Sequence, residues 1–205
     1  MIDLSTNGGG ESYAAIAVMS LITGKSYIRS ENTLTGEVTS VYYNVDRNLD
    51  GKFDAKDREV KYDLNFAVLT SKATFSSANL LASTLHENGI PIIGEQSSGG
   101  SCSVITKPTA DGWEYSHSSY TRLVDGELNN IDGGVPVDVL LVNTNADGSK
   151  NYSTFFDVAQ VGARINEYYG NTEEENPATG AEIPIASAFV ALAVMFIVRK
   201  SKRSY

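Results

Sequence analysis

The sequence predicts an α/β fold: a parallel βαβ unit at its centre, additional antiparallel strands around it, and a hydrophobic helix at the C-terminus. Three observations carry this. The apolar run Phe66-Ala67-Val68-Leu69 leads into the helical pattern Leu80-Leu81-Ala82-Ser83-Thr84-Leu85 and then into Ile90-Pro91-Ile92-Ile93-Gly94. Strand, helix and strand at that spacing make a parallel pair joined by a crossover. Residues 27–45 and 102–124 are rich in strand formers, with turn signals at Asp111-Gly112 and Asp125-Gly126 that predict hairpins. Residues 183–198 are nearly uncharged and run into Arg199-Lys200-Ser201-Lys202-Arg203.

Composition bounds the rest. A chain of 205 residues, 41% hydrophobic, holds one domain with a real core plus appendages. A net charge of −9 argues against nucleic acid as the main partner, because phosphate binding needs a basic face. The single cysteine, Cys102, excludes an internal disulfide and a cysteine-built zinc site; no histidine is placed to serve it, and it reads as a buried structural thiol. The chain opens without a secretory signal. Ile2-Asp3-Leu4 instead resembles the inside of a buried strand. The expectation is an N-terminally incomplete chain whose upstream part carried any signal peptide.

Taken in order, Ile2–Leu4 is strand-like and Ser5–Gly10 is a glycine-rich turn. A helix follows over residues 11–22, with Ala14, Ala15, Val18, Met19 and Ile22 on its apolar face and Gly24 as C-terminal cap. Glycines between a strand and a helix start let backbone N–H groups converge on an anion; they also serve as a tight turn needing positive φ. Residues 27–45 read as extended.

Residues 46–57 then place oxygen ligands at loop positions 1, 3, 5, 9 and 12: Asp46, Asn48, Asp50, Asp54 and Asp57. Gly51 stands at position 6, and the carbonyl of Lys52 at position 7 adds a ligand. Calcium takes six to eight hard oxygens, and this spacing wraps them around one ion. Asp57 replaces the usual glutamate, which shortens the last ligand. The flanks read as extended, so a structural calcium loop is expected rather than a paired hand. The competing reading is a solvated acidic turn.

The helix after the central strand runs from Ser77 to Asn88 and stops at Gly89. Glu95–Ser101 is a loop of small residues. Strands are expected at Cys102–Lys107, Trp113–Ser116, Tyr120–Val124 and Val135–Val142. A last helix uses Phe155, Phe156, Ala159, Ile165 and Tyr169 as its apolar side. Within Thr74-Phe75-Ser76-Ser77-Ala78-Asn79, Ser76 ends a strand and opens a helix. Unpaired N–H groups there carry partial positive charge, so a serine hydroxyl can act as a cap or as a nucleophile whose oxyanion meets ready donors.

The tail changes character. Residues 171–176 are polar and acidic, Asn176-Pro177-Ala178-Thr179-Gly180 follows, then the hydrophobic run and the basic end. As a helix the run spans about 24 Å, a little short for a free membrane span, and the basic end suits the cytoplasmic side. The three parts together resemble a Gram-positive cell-wall sorting signal. That resemblance implies sortase cleavage between Thr179 and Gly180, a link from Thr179 to peptidoglycan, and a location on the extracellular surface. A plain membrane anchor is the alternative. Removing residues 180–205 leaves 12 basic and 24 acidic residues, a net of −12 suited to a surface protein.

Three separated segments resemble the C-terminal processing (tail-specific) serine peptidases. Ile2–Gly10 is similar to that family's strand and glycine turn, Thr74–Ala78 to its nucleophile turn, and Gly94–Gly100 to the loop after the next strand; Gly134–Asp138 is a weaker fourth match. The resemblance implies a core related to the crotonase and ClpP fold and peptide-bond hydrolysis through an acyl-serine. It makes Ser76 the nucleophile and the N–H groups of Gly9 and Ser77 the oxyanion donors. Residues 1–170 would be the catalytic core, 171–182 a linker with the sorting motif, and 183–205 the anchor and basic tail.

Two departures set the expectations for activity. The serine–lysine branch of the family carries its lysine where this chain has Gly100. The other branch, which includes the tricorn core protease, uses a histidine upstream of the glycine turn, with Asp132 matching its acidic partner. Asn79 stands where the family commonly has glutamate. His86 lies roughly 15 Å along the helix from Ser76, beyond the reach of a general base, and is expected to meet the last helical carbonyls. His117 falls among surface strands. The reading is a serine endopeptidase core that needs an upstream histidine and is weakly active or inactive by itself. The alternative is a calcium-stabilised, non-catalytic surface binding module on a degenerate peptidase fold.

Overall fold

A computed structural model describes residues 1–170 and the backbone of residues 198–200. Four strands form a parallel sheet in the order β1-β4-β5-β8: β1 (Ile2–Asp3), β4 (Val68–Thr70), β5 (Ile92–Gly94) and β8 (Val139–Leu140). Ile2 pairs with Val68, Val68 with Ile92, and Ile93 with Val139. β4 and β5 are buried on both faces, which is why they read as unbroken apolar runs rather than as an alternation. β1 pairs only with β4 and lies at the sheet edge, not inside the sheet as its sequence suggests.

Side chains alternate across this sheet, as the pleat requires. Val68 and Ile92 face α1 (Ser12–Thr23) and α2 (Ser77–His86), joining Ile16, Met19, Leu81 and Leu85 in the main core. Ala67, Leu69, Ile93 and Leu141 face the other way, onto Val161 of α3 (Val158–Tyr168). α2 is the crossover between β4 and β5, as expected.

The crossover from β1 to β4 contains α1 and a hairpin of β2 (Tyr27–Asn32) and β3 (Val38–Val45). The crossover from β5 to β8 contains β6 (Cys102–Pro108) and β7 (Glu114–Leu123). These strands join in an antiparallel sheet, β3-β2-β7-β6, whose inner side chains Ile28, Tyr43, Val45 and Leu123 reach the same core as α1. The helix pair is thus packed between two sheets. β9 (Asn143–Thr144) and β10 (Lys150–Asn151) form a small hairpin before α3.

Gly24 caps α1 in the left-handed conformation with its N–H on the Ser20 carbonyl. The segments at 113–116 and 120–124 are one strand, β7, because β6 pairs along most of it. The strand expected over 135–142 shortens to Val139–Leu140: Pro136 has no N–H to give a ladder, and the Val135 N–H goes to Ser97 Oγ at 2.7 Å. α2 ends at His86, two residues early. His86 Nε2 lies 3.4 Å from Asp138 Oδ1 instead of meeting the helical carbonyls.

The sorting motif and the hydrophobic run through residue 197 lie outside the described residues. Val198–Lys200, where the hydrophobic run ends at Val198 and the basic end begins, are extended and pair antiparallel with β3 as β11, Val198 opposite Val45. Among the described residues, no helix is long and apolar enough to cross a membrane.

Asn79 is the fully buried polar side chain that ties these parts together. Its Nδ2 donates to the Ile131 carbonyl at 3.0 Å, and its Oδ1 accepts from Ser97 Oγ at 2.6 Å. Replacing Asn79 with alanine leaves the buried Ser97 hydroxyl, which still accepts from Val135 N, with no acceptor for its proton, and takes one of two donors from the Ile131 carbonyl, which keeps Gly134 N. We expect a loss of about 1–3 kcal/mol of stability, measured by urea unfolding; an unchanged midpoint would show that water replaces both bonds.

Candidate active site

Ser76 stands between β4 and α2 with φ 55° and ψ −125°, a region that non-glycine residues occupy only under strain. Among the described residues it is one of three non-glycine residues at positive φ, with Leu49 and Leu128. Its N–H donates to the Gly99 carbonyl at 2.8 Å and its carbonyl accepts from Leu80 N at 2.9 Å. Its side chain makes no cap hydrogen bond, so the capping role open to it in sequence is not the one it fills. The residue is half-buried, and its hydroxyl has no partner among the described residues.

The glycine turn presses on this corner. A Cβ at Gly9, whose φ is +95°, would lie 2.6 Å from Ser76 Cβ and 2.9 Å from Ser77 N, so only glycine lets the two turns touch. Phe75 N donates to the Asn7 carbonyl at 3.2 Å, and Ser77 Oγ donates to the Gly10 carbonyl at 2.6 Å. Below them, Thr74 Oγ1 donates to the Leu4 carbonyl and Ser71 Oγ to the Ser5 carbonyl. Two segments some 70 residues apart in sequence are therefore laced together around Ser76.

The two expected oxyanion donors differ in state. The Ser77 N–H donates to no group among the described residues, as a first-turn helix amide should not. The Gly9 N–H donates to Asn7 Oδ1 at 2.9 Å, so it is free for another acceptor only once Asn7 turns away. A cavity of about 470 Å³ opens beside these amides, lined by Gly9, Gly10, Ser77, Ala78, Val18 and Leu81. A cavity of similar size lies instead between β3 and the acidic loop.

The loop after β5 closes the opposite side. Asp132 Oδ1 accepts from Gly100 N at 3.1 Å and Ser101 N at 2.8 Å, which fixes the Gly99 carbonyl that Ser76 N meets. Its other oxygen accepts no bond among the described residues. Gly100 has φ +83°, and a Cβ there would fall 2.5–2.8 Å from ring carbons of Phe75. Sequence reasoning saw only a missing lysine; the structure shows the space above Gly100 filled by Phe75. Glu95, at the start of this loop, is buried. Burial pushes its carboxyl up, but bonds from Lys150 and Tyr152 outweigh that and hold it below the usual carboxylate range. This cluster gave no signal in sequence, because its members lie 55 and 57 residues apart.

Neither histidine is brought to Ser76. His86 sits at the far end of α2 with Asp138; His117 is exposed on β7, stacked on Tyr115. Cys102 is half-buried at the start of β6, not the fully buried thiol expected. In the acidic loop, Asp46 accepts from Asp50 N and Gly51 N, Asn48 from Asp50 N, and Asp50 from Lys52 N. Asp57 is buried and bridges Arg47 N and Asp54 N. A strand enters the loop and a 3-10 turn, Ala55–Glu59, leaves it. Among the described residues, no three His, Cys, Asp or Glu side chains converge closely enough to hold a metal ion.

Comparison with known proteins bears on this corner as a whole. The sequence model of peptidase family S41 matches residues 1–140. No curated protein sequence matches the chain. Among solved structures, it is similar to a photosystem II D1 C-terminal processing protease, at 21% identity and a TM-score of 0.50, over 72% of this chain and 36% of that one. A putative S41 protease from Bacteroides fragilis is 17% identical with a TM-score of 0.50, over 83% of this chain and 44% of that one. Mature CPAF, complexed with lactacystin, is 16% identical with a TM-score of 0.54, over 81% and 44%. The chain thus spans less than half the length of these structures, and at such identities they speak for the fold alone. With the family's sequence model covering the glycine turn, the Ser76 corner and the loop after β5, the chain belongs to peptidase family S41.

Proposed function

We propose that residues 1–170 are the core of a serine endopeptidase in which Ser76 Oγ attacks the scissile carbonyl. The observation that carries this is the positive φ of Ser76: strain at a half-buried, uncapped hydroxyl on a helix start is what a nucleophile turn requires. In the step, the Oγ–H proton passes to a base, the Oγ–C bond forms, and the C–N bond breaks as the leaving amine takes the proton; water then releases the acyl group. Ser77 N–H, and Gly9 N–H once Asn7 releases it, would hold the oxyanion. The base is a histidine from outside residues 1–170, of the tricorn-like kind, oriented by the unbonded oxygen of Asp132. The substrate is a protein or peptide.

Fluorophosphonate labelling of the full-length protein tests this. We expect covalent labelling that is lost in Ser76→Ala; labelling that survives the substitution, or none in the full-length protein, removes the nucleophile. Ser76→Gly should be about 1–2 kcal/mol more stable than Ser76→Ala, since glycine relieves the positive φ at some entropic cost. A second reading, a non-catalytic binding module, is favoured by the lack of any side-chain partner for Ser76 Oγ among the described residues, and predicts no labelling.

Residues 46–57 are proposed as a structural calcium loop, with ligands from Asp46, Asn48, Asp50, the Lys52 carbonyl, Asp54 and Asp57. The turn already gathers its carboxylates on backbone amides, and closing on an ion would need Asp57 to trade those amides for the metal. At roughly 10 mM calcium and the affinity of extracellular modules, binding adds about 1–3 kcal/mol. A melting temperature that rises with calcium, and does not rise in Asp50→Ala, is the expected result; no rise in either reduces the loop to a turn.

The tail is proposed as a sorting signal that places the core on the cell wall of a Gram-positive bacterium through sortase, the membrane holding residues 183–198 beforehand. Thr179→Ala should shift the protein from the wall fraction to the membrane fraction of such a cell. An unaltered distribution would indicate a plain anchor.

A further inference from the structure

Phe75 precedes the reactive serine and is 46% exposed. A phenylalanine in a core would be covered, and one needed only to space a turn would not need a ring. One face is accounted for: ring atoms lie where a Cβ of Gly100 would stand, at 2.5–2.8 Å. The backbone on both sides is fixed, with Phe75 N on the Asn7 carbonyl and Ala78 N on the Phe75 carbonyl. The loop beneath is fixed as well, through Asp132 on Gly100 N and Ser101 N. The ring is therefore held against a glycine floor, with its remaining surface open to solvent one residue from Ser76.

We propose that Phe75 is a specificity-determining residue, its ring forming an apolar wall that contacts a substrate side chain flanking the scissile bond. This rests on the reading of Ser76 as nucleophile. Adjacent Cα atoms are about 3.8 Å apart, so the ring is carried by the residue next to the one that a scissile carbonyl would meet. An aromatic surface already ordered by its packing gains apolar contact with little further loss of freedom. The chemistry that fits is a peptide with a branched aliphatic or aromatic residue next to the cleaved bond, and the ring discriminates against a charged or small polar one.

Two readouts on the full-length protein separate this from the nucleophile reading. The first is the rate of covalent labelling by two peptidyl phosphonates that differ only in leucine or serine beside the phosphorus. Wild type is expected to favour the leucine probe, and Phe75→Ala and Phe75→Gln to lower the leucine-to-serine ratio by about tenfold. Phe75→Leu should restore most of it. The second is fluorescence polarisation of the matching fluorescein-labelled peptides with Ser76→Ala, alone and combined with Phe75→Gln, which needs no chemistry at Ser76. A leucine preference in binding that falls with Phe75→Gln, in a protein that phosphonates never label, would keep the wall and remove the nucleophile. A ratio that is the same in wild type and in whichever Phe75 variant is folded by circular dichroism, in both readouts, overturns the proposal.

Discussion

The contact between Gly9 and Ser76 is the constraint on which the site depends. Ser76 is held in a backbone region costing on the order of 1–3 kcal/mol, and such strain persists only where the surroundings determine it from several sides. Here they do. The Asn7 carbonyl fixes the residue before Ser76, the Gly10 carbonyl fixes the residue after it, and the Gly99 carbonyl fixes its own N–H. None of these works without a residue at position 9 that has no Cβ. The glycine turn therefore brings the edge strand β1 against the β4–α2 corner while leaving the hydroxyl uncovered.

From that corner the hydrogen bonds form a closed circuit, buried at Asn79 and exposed at Asp132. Ser76 N leads to Gly99; the Gly100 and Ser101 amides lead to Asp132; the neighbouring Ile131 carbonyl leads to Asn79; and Asn79 lies three residues beyond Ser76 on α2. Every member is bonded, and no buried side-chain polar atom among the described residues lacks a partner. At its buried end, Asn79 with Ser97 and the Ile131 carbonyl, a break leaves a desolvated group with an unmet bond, which stiffens that part of the circuit. Asn79 is well suited to it. Its amide supplies the donor that the Ile131 carbonyl needs and the acceptor that Ser97 needs, whereas an ionised carboxylate offers acceptors only.

Legibility in the sequence follows the range of the physics. The βαβ unit, the Gly24 cap, the glycine turn and the Ser76 corner were readable because each is decided within about ten residues by periodicity or by the need for positive φ. The pairing of β2 with both β3 and β7 was not, since nothing local records which edge a strand will meet. The shortening around Val135 was half legible in Pro136; the other half is a hydroxyl 38 residues away. Gly100 shows the same limit within the site. Sequence registers the absence of a lysine, but only the packing of Phe75 shows that the space is taken.

That packing also bears on whether the chain is an enzyme core or a binding module. A fold that used this corner only to bind would gain from relaxing it, since glycine at position 76 would leave the surrounding amides and carbonyls in place. Instead the strained residue carries a hydroxyl that caps nothing, next to a helix amide that donates to nothing among the described residues. The positive φ of that residue is a cost to stability with no structural return. The circuit that holds them also leaves one Asp132 oxygen unbonded while anchoring the other on two amides. An acid fixed at one oxygen and open at the other is the arrangement that the proposed histidine base would require.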